Sequence, residues 1–161
     1  MKRAPAKNAT AQHAVDDPSR ALSFMRLLWA LAHGLESASK HMFATLGVTG
    51  PQRLVLRLVG HHGSASAGDL ARMLHVHPSS LTGVLRRLER AGLLRRGRDP
   101  NDGRKAVLTL TASGKRLNAR RRGTVESIVD QVLRAATPGD VHTAERLLHR
   151  LAAAFDEKHR G

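Results

Sequence analysis

Residues 66–111, SAGDLARMLHVHPSSLTGVLRRLERAGLLRRGRDPNDGRKAVLTLT, change their periodicity along their length, and that change decides the fold. Ser66 with Asp69 three residues on offers an oxygen and an acidic partner to the first unpaired N–H groups of a helix, a pattern like a capping box. Leu70, Met73 and Leu74 then share one face at helical spacing. His75-Val76-His77 is long enough only for a turn. Pro78 suits the first position of a second helix, where its missing N–H costs nothing. Leu81, Val84, Leu85, Leu88 and Ala91 give that helix a stripe to bury, and Gly92 ends it. Beyond Gly92 the period falls to two. Residues 93–98 and 106–111 read as paired strands around Asp99-Pro100-Asn101-Asp102-Gly103-Arg104, a segment dense in turn formers. Two short helices, a tight turn and a basic hairpin make a winged helix-turn-helix.

The face opposite the stripe points to function. Ser79, Ser80, Thr82, Gly83, Arg86, Arg87 and Arg90 fall there, small hydroxyls first and guanidiniums further along. Short side chains let a helix backbone approach base edges in a DNA major groove, and arginines reach guanine or phosphate. A merely solvated basic face has the same composition, so the helix alone leaves both readings open. The hairpin tip carries Arg104 and Lys105, suited to a narrow and strongly negative minor groove.

The order helix, turn, helix, then Leu88-Glu89-Arg90-Ala91-Gly92-Leu93-Leu94, a wing with Asp99 to Lys105, and Leu110-Thr111-Ala112-Ser113-Gly114 opening the next helix resembles the MarR family of bacterial transcriptional regulators. The Asp-x-Arg of the wing is the most specific part, and the flanking helices extend the resemblance from about residue 20 onward. The resemblance implies a mostly α (α+β) chain with a winged helix-turn-helix, a β-hairpin wing and N- and C-terminal dimerisation helices. It implies that Arg104 enters the minor groove with Asp102 orienting it through a charge-assisted hydrogen bond. Ser79, Ser80, Thr82 and Arg86 are then expected in the major groove, and Arg87, Arg90, Arg95, Arg98 and Lys105 on phosphates.

Composition agrees with a polyanionic partner. The 161 residues hold 27 Lys and Arg against 13 Asp and Glu, a formal charge of +14. Such a balance attracts double-stranded DNA first and an acidic membrane surface second. With no cysteine the chain has neither disulfides nor thiolate metal ligands, nor the thiol used by the peroxide-sensing branch of the resembled family. No apolar run approaches the roughly 18 residues of a membrane span, and the amino terminus lacks the apolar core of a signal peptide, so a cytoplasmic protein is expected. No nucleophile motif, phosphate-binding glycine loop or paired carboxylates suggest an enzyme, and no cofactor is implied.

Outward from the core stretch, residues 1–16 are small, polar and mildly basic, and are expected to be a disordered arm. Residues 17–46 read as an N-terminal dimerisation helix with apolar positions Leu22, Met25, Leu28, Trp29, Ala32, Leu35, Ala38 and Met42. Thr49-Gly50-Pro51 starts the first helix of a DNA-binding lobe spanning 49–111. After the wing, residues 112–161 are expected to complete the dimerisation lobe with two helices. One runs from Thr111 through Leu133, basic at its start and apolar at its end, and one starts at Thr137-Pro138-Gly139-Asp140 and runs to about Lys158. The end helices are too apolar to stand alone in so small a chain, which predicts a two-fold dimer.

Ten histidines raise the question of a metal, yet none forms a local i, i+4 pair, and surface or N-terminal-turn histidines account for them better. A metal-responsive regulator using histidines and a sequence-neutral architectural nucleic-acid binder stay open as alternatives. In the resembled family a small aromatic acid often binds between the dimer helices and the lobe. Trp29 and His33, one turn apart on the first helix, together with His61 and His62 at the end of the second, are the residues expected to receive such an effector.

Overall fold

A computed structural model describes residues 18–99 and 102–158. The expected arm at 1–16, the Asp17 cap, and Pro100 and Asn101 of the wing turn lie outside the described residues. The elements, in order, are α1 (Pro18–Leu46), α2 (Gly50–His62), α3 (Ala67–Met73), α4 (Pro78–Arg90), β1 (Leu94–Arg98), β2 (Ala106–Leu110), α5 (Ala112–Ala119), α6 (Val125–Ala135) and α7 (Pro138–Lys158). The chain divides into two compact units, 1–37 and 38–161. In the first unit, α1 carries Leu22, Met25, Leu27, Trp29, Leu31 and Leu35 exposed.

The second unit holds a closed core. Val55, Leu56 and Val59 of α2, Leu70 and Ala71 of α3, Leu81, Leu85 and Leu88 of α4, Leu94 of β1, and Leu108 and Leu110 of β2 pack into one cluster. Each fully buried aliphatic side chain contributes about 1.5 to 3 kcal/mol relative to exposure. Leu70, Leu81, Leu85 and Leu88 are residues whose helical spacing marked them in the sequence; Ala71 was not marked, Met73, Leu74 and Val84 pack against the cluster only partly buried, and Ala91 is exposed.

Local chemistry closes each joint of this lobe. The Asp69 N–H donates to Ser66 Oγ at 3.1 Å while the Ser66 N–H donates to Asp69 Oδ2 at 3.2 Å, the reciprocal capping box at the start of α3. At the end of α3 the His75 and Val76 N–H groups reach back to the Arg72 and Ala71 carbonyls, and His75 takes φ 51. That left-handed position is usually glycine's. At the end of α4 the same motif recurs with glycine. Gly92 has φ 65 and donates to Glu89 O, and Leu93 donates to Leu88 O. The chain turns directly from α4 into β1.

β1 and β2 pair antiparallel with Leu94 opposite Leu110 and Arg98 opposite Ala106. Ala65 adds a one-residue bridge to Leu108, so β2 has backbone partners on both sides. Thr111 caps α5 by accepting from the Gly114 N–H at 3.0 Å and donates its own hydroxyl proton to Gly92 O at 2.6 Å. Gly114 sits so close to Leu93 that a Cβ there would overlap the Leu93 carbonyl.

The single helix expected from Thr111 through Leu133 is two. α5 stops at Ala119, Gly123 takes φ 73, and Thr124 caps α6 by accepting from the Ser127 N–H at 3.3 Å. The break has a physical partner in Arg53 of α2, only 1% exposed. Its guanidinium donates to the carbonyls of Leu117, Asn118 and Arg120, acceptors left over where α5 ends, and to Glu126 Oε1 at 2.7 Å in the first turn of α6. A continuous helix would bond those carbonyls internally and leave Arg53 buried without acceptors. On α6 no residue is buried, and Ile128, Val129, Val132 and Leu133 are exposed.

Candidate nucleic-acid interface

Burial of Leu81, Leu85 and Leu88 fixes the rotation of α4, and with it the exposure of Ser79, Ser80, Thr82, Arg86, Arg87 and Arg90. Two of the small hydroxyls are already oriented. The His77 ring caps the helix, its Nδ1 accepting from the Ser79 N–H at 3.3 Å and lying 2.8 Å from Ser79 Oγ. The Thr82 hydroxyl donates to Pro78 O at 3.1 Å, leaving its oxygen able to accept from outside. At Gly83 only the tip of Arg87, 4.0 Å away, would meet an added Cβ, so nothing but the glycine itself keeps the surface low.

The wing is tied to the same body by ion pairs. Arg96 of β1 reaches Glu89 of α4 at 2.9 Å, and Lys105 Nζ lies 3.7 Å from Asp69 of α3. The hydrogen bonds of Asp69 to the Ser66 side chain and backbone, then its pairing with Arg72, hold its carboxyl down to about 2. Backbone bonds from Asp99 N–H to Lys105 O and from Lys105 N–H to Asp102 O close the turn. Asp102 Oδ1 accepts from the Arg104 backbone N–H at 3.1 Å. That bond shapes the backbone on which Arg104 rides. This is a turn closed by a short acidic side chain two residues before the N–H it accepts from. Arg98, Arg104 and Lys105 are exposed along this edge.

Arg95 is set apart from the other expected phosphate ligands. Strand alternation turns Arg96 to α4 and puts Arg95 on the other face of the hairpin, where its Nε donates to Thr109 Oγ1 across the strands at 3.1 Å.

Of the expected effector residues, Trp29 and His33 are exposed on the part of α1 that belongs to the first unit, Trp29 at 75%. His61 and His62 end α2 in the second unit and pack ring edge to face, centroids 4.9 Å apart. His75 and His149 form another such pair at 5.3 Å. Among the described residues no three His, Asp or Glu side chains come together as a metal set. No helix among them is long and apolar enough to cross a membrane.

Three functional features escaped the sequence reading: the His77 cap, the Glu89–Arg96 tie and the Arg53–Glu126 anchor. The Glu89–Arg96 spacing crosses an element boundary, and Arg53 lies 73 positions from Glu126, beyond any local pattern. His77 could have been recognised, since it stands directly before Pro78 in a cap position.

Residues 48–106, from the start of the lobe to the second wing strand, match the sequence profile of the MarR family. An HTH-type transcriptional repressor of Mycobacterium tuberculosis is 31% identical over 127 residues, 79% of this chain and 91% of the relative. The HTH-type transcriptional regulator TtmR of Methylorubrum extorquens is 31% identical over 157 residues, 97% of this chain and 78% of the relative. Among solved structures, a mutant MarR from E. coli complexed with operator DNA superposes with a TM-score of 0.64 at 25% identity, covering 84% of this chain and 99% of that one.

Proposed function

Because the chain belongs to the MarR family of transcriptional regulators, we propose that this DNA-binding regulator acts as a homodimeric repressor on a pseudo-palindromic operator, with α4 in the major groove and the wing in the minor groove. The carrying observation is the outward face of α4, with its hydroxyls locally oriented and its arginines exposed, held in register by the Leu81, Leu85 and Leu88 stripe. Ser79, Ser80, Thr82 and Arg86 read base edges, Arg104 reads groove shape, and Arg87, Arg90, Arg98 and Lys105 hold phosphates. The dimer is supported by the apolar residues left in water on α6 and α7, namely Ile128, Val132, Leu147, Leu148 and Phe155. Two-fold symmetry then sets the recognition helices about 34 Å apart, one DNA turn. Trp29 and His33, one turn apart on α1, support release by a small anionic aromatic ligand. A regulator of chromosomal DNA works in the cytoplasm.

Selection from random duplexes tests the reading: a palindrome is enriched, whereas a sequence-neutral binder enriches none. On the selected duplex, Arg104→Ala weakens binding by about 1 to 3 kcal/mol. Each phosphate ligand replaced by alanine lowers the slope of log K against log salt by about 0.9. An unchanged affinity for Arg104→Ala removes the wing from the interface.

A further inference from the structure

Between the end of α2, the outer face of the hairpin and α5 lies a cavity of about 500 Å³, within the size range of small-molecule sites. Arg57, Arg95, Lys115 and Arg121 line it, and no carboxylate does among the described residues. Thr109 and Asn118 add neutral polar groups, while the neighbouring Val59 and Leu110 side chains belong to the buried core. At Gly60, beside the recess, α2 and α5 approach so closely that a Cβ would collide with the Asn118 amide.

The charge around it is not balanced by the protein. Glu126 is the acid at hand, and Arg53 already occupies it at 2.6 Å while Arg57 stands off at 3.9 Å. Burial, and then the charges of Arg121 and Arg53, push the Arg57 guanidinium below its usual range, with Glu126 only partly opposing them. Cations held together in this way are stabilised by an anion brought among them.

The geometry points to a binding site for a small phosphate or pyrophosphate anion, held among Arg57, Arg95, Lys115 and Arg121. The DNA backbone carries the same phosphate chemistry, but the recess opens on the far side of the hairpin from α4. Arg96 turns toward Glu89 of α4, and Arg95 and Thr109, directly paired across the strands, occupy the opposite face. Arg95, expected from the sequence to hold a DNA phosphate, is therefore turned to the recess. The site also bridges α2 to the α5–α6 link through Arg57 and Arg121, so a bound phosphate would reinforce the joint that Arg53 makes. This inference stands independently of the operator reading.

Isothermal titration of the full-length protein with pyrophosphate, at ionic strength matched with chloride, tests it. One saturable site per chain is expected. The double variant Lys115→Gln/Arg121→Gln, both exposed side chains, weakens binding by more than about tenfold, as the loss of two charge-assisted contacts requires. The control Arg146→Gln/Arg150→Gln on α7 removes the same charge and stays within about twofold of wild type, and Arg121→Lys recovers part of the affinity. In a second arm the titration is repeated on protein saturated with a 30-bp duplex, where a small-molecule site persists. Absence of a saturable site, equal weakening in the control, or displacement by the duplex each overturns the proposal, the last by giving the recess to the DNA backbone. Unliganded melting temperatures of the variants close to wild type tie any loss to the site itself, and a variant that fails to fold is replaced by Arg121→Lys alone, for which undiminished affinity also counts against the site.

Discussion

The DNA-binding lobe and α6 are both rich in aliphatic residues but treat them in opposite ways. Leu56, Leu70 and Leu88 of the lobe are fully buried within one chain, whereas α6 leaves Ile128, Val129, Val132 and Leu133 in water and buries none of its residues. The difference is one of partners. Three helices and a hairpin at mutual angles can enclose a core, but a single amphipathic helix beyond the Arg120–Thr124 link has only one side on which to find cover. The lobe is thus complete in the monomer, and α6 leaves an apolar face open that the proposed homodimer would cover.

The sharpest way to break that contrast is to truncate one side chain in each region. Leu88→Ala is expected to destabilise the lobe by about 2 to 5 kcal/mol, transfer plus cavity, at every protein concentration in urea unfolding. Val132→Ala is expected to change monomer stability by less than about 0.5 kcal/mol. It weakens dimerisation by about tenfold or more in equilibrium sedimentation, since about two methylenes per chain are lost from the interface. If Val132→Ala instead lowers stability equally at all concentrations, α6 belongs to the monomer core and the contrast fails.

A smaller loss is expected where the two regions meet. Arg53→Ala leaves the carbonyls of Leu117, Asn118 and Arg120 and the carboxylate of Glu126 without their donor. Glu126 is about a third exposed, so water takes up part of the deficit, and a cost of about 2 to 3 kcal/mol follows. Arg53→Lys restores little of it, because one ammonium cannot span four acceptors as a planar guanidinium does. Amide exchange should accelerate in residues 117–126 before the rest of the lobe. Uniform acceleration throughout would make Arg53 an ordinary core residue instead of an anchor.

How legible each region was follows from the range of the forces involved. Ser66 and Asp69, Pro78, Gly92 and the Leu81 to Leu88 stripe act within a turn or two, so spacing alone exposes α3, α4 and their joints. The α5–α6 break was hidden because Arg120-Arg121-Arg122 is as helical in propensity as its neighbours. The local signs, Gly123 followed by Thr124 with Glu126 and Ser127 behind it, resemble a stop and a start but gain force only when Arg53 supplies donors for the freed carbonyls. At the candidate interface, exposure of the α4 residues was readable from their phase. The face on which Arg95 lies depends on strand register, which the Arg-Arg-Gly-Arg stretch at 95–98 does not reveal.

The least costly perturbation probes the lobe's own self-sufficiency. Asp69 caps α3 and carries a carboxyl held to about 2 against an ordinary 3.8 by its bonds to Ser66 and its pairing with Arg72. A depressed acid favours the folded state when charged, so its contribution is full above about pH 4 and disappears as pH falls through 2. Asp69→Asn keeps the shape and removes the charge. Wild type and variant should therefore differ most in urea midpoint near neutrality and converge between pH 4 and 2, with the same convergence at low and high protein concentration. A gap that stays constant over that interval would mean that the Asp69 charge does not hold the cap. A gap that depends on concentration would tie the start of α3 to the dimer, and the lobe would no longer be the part of the molecule that folds by itself.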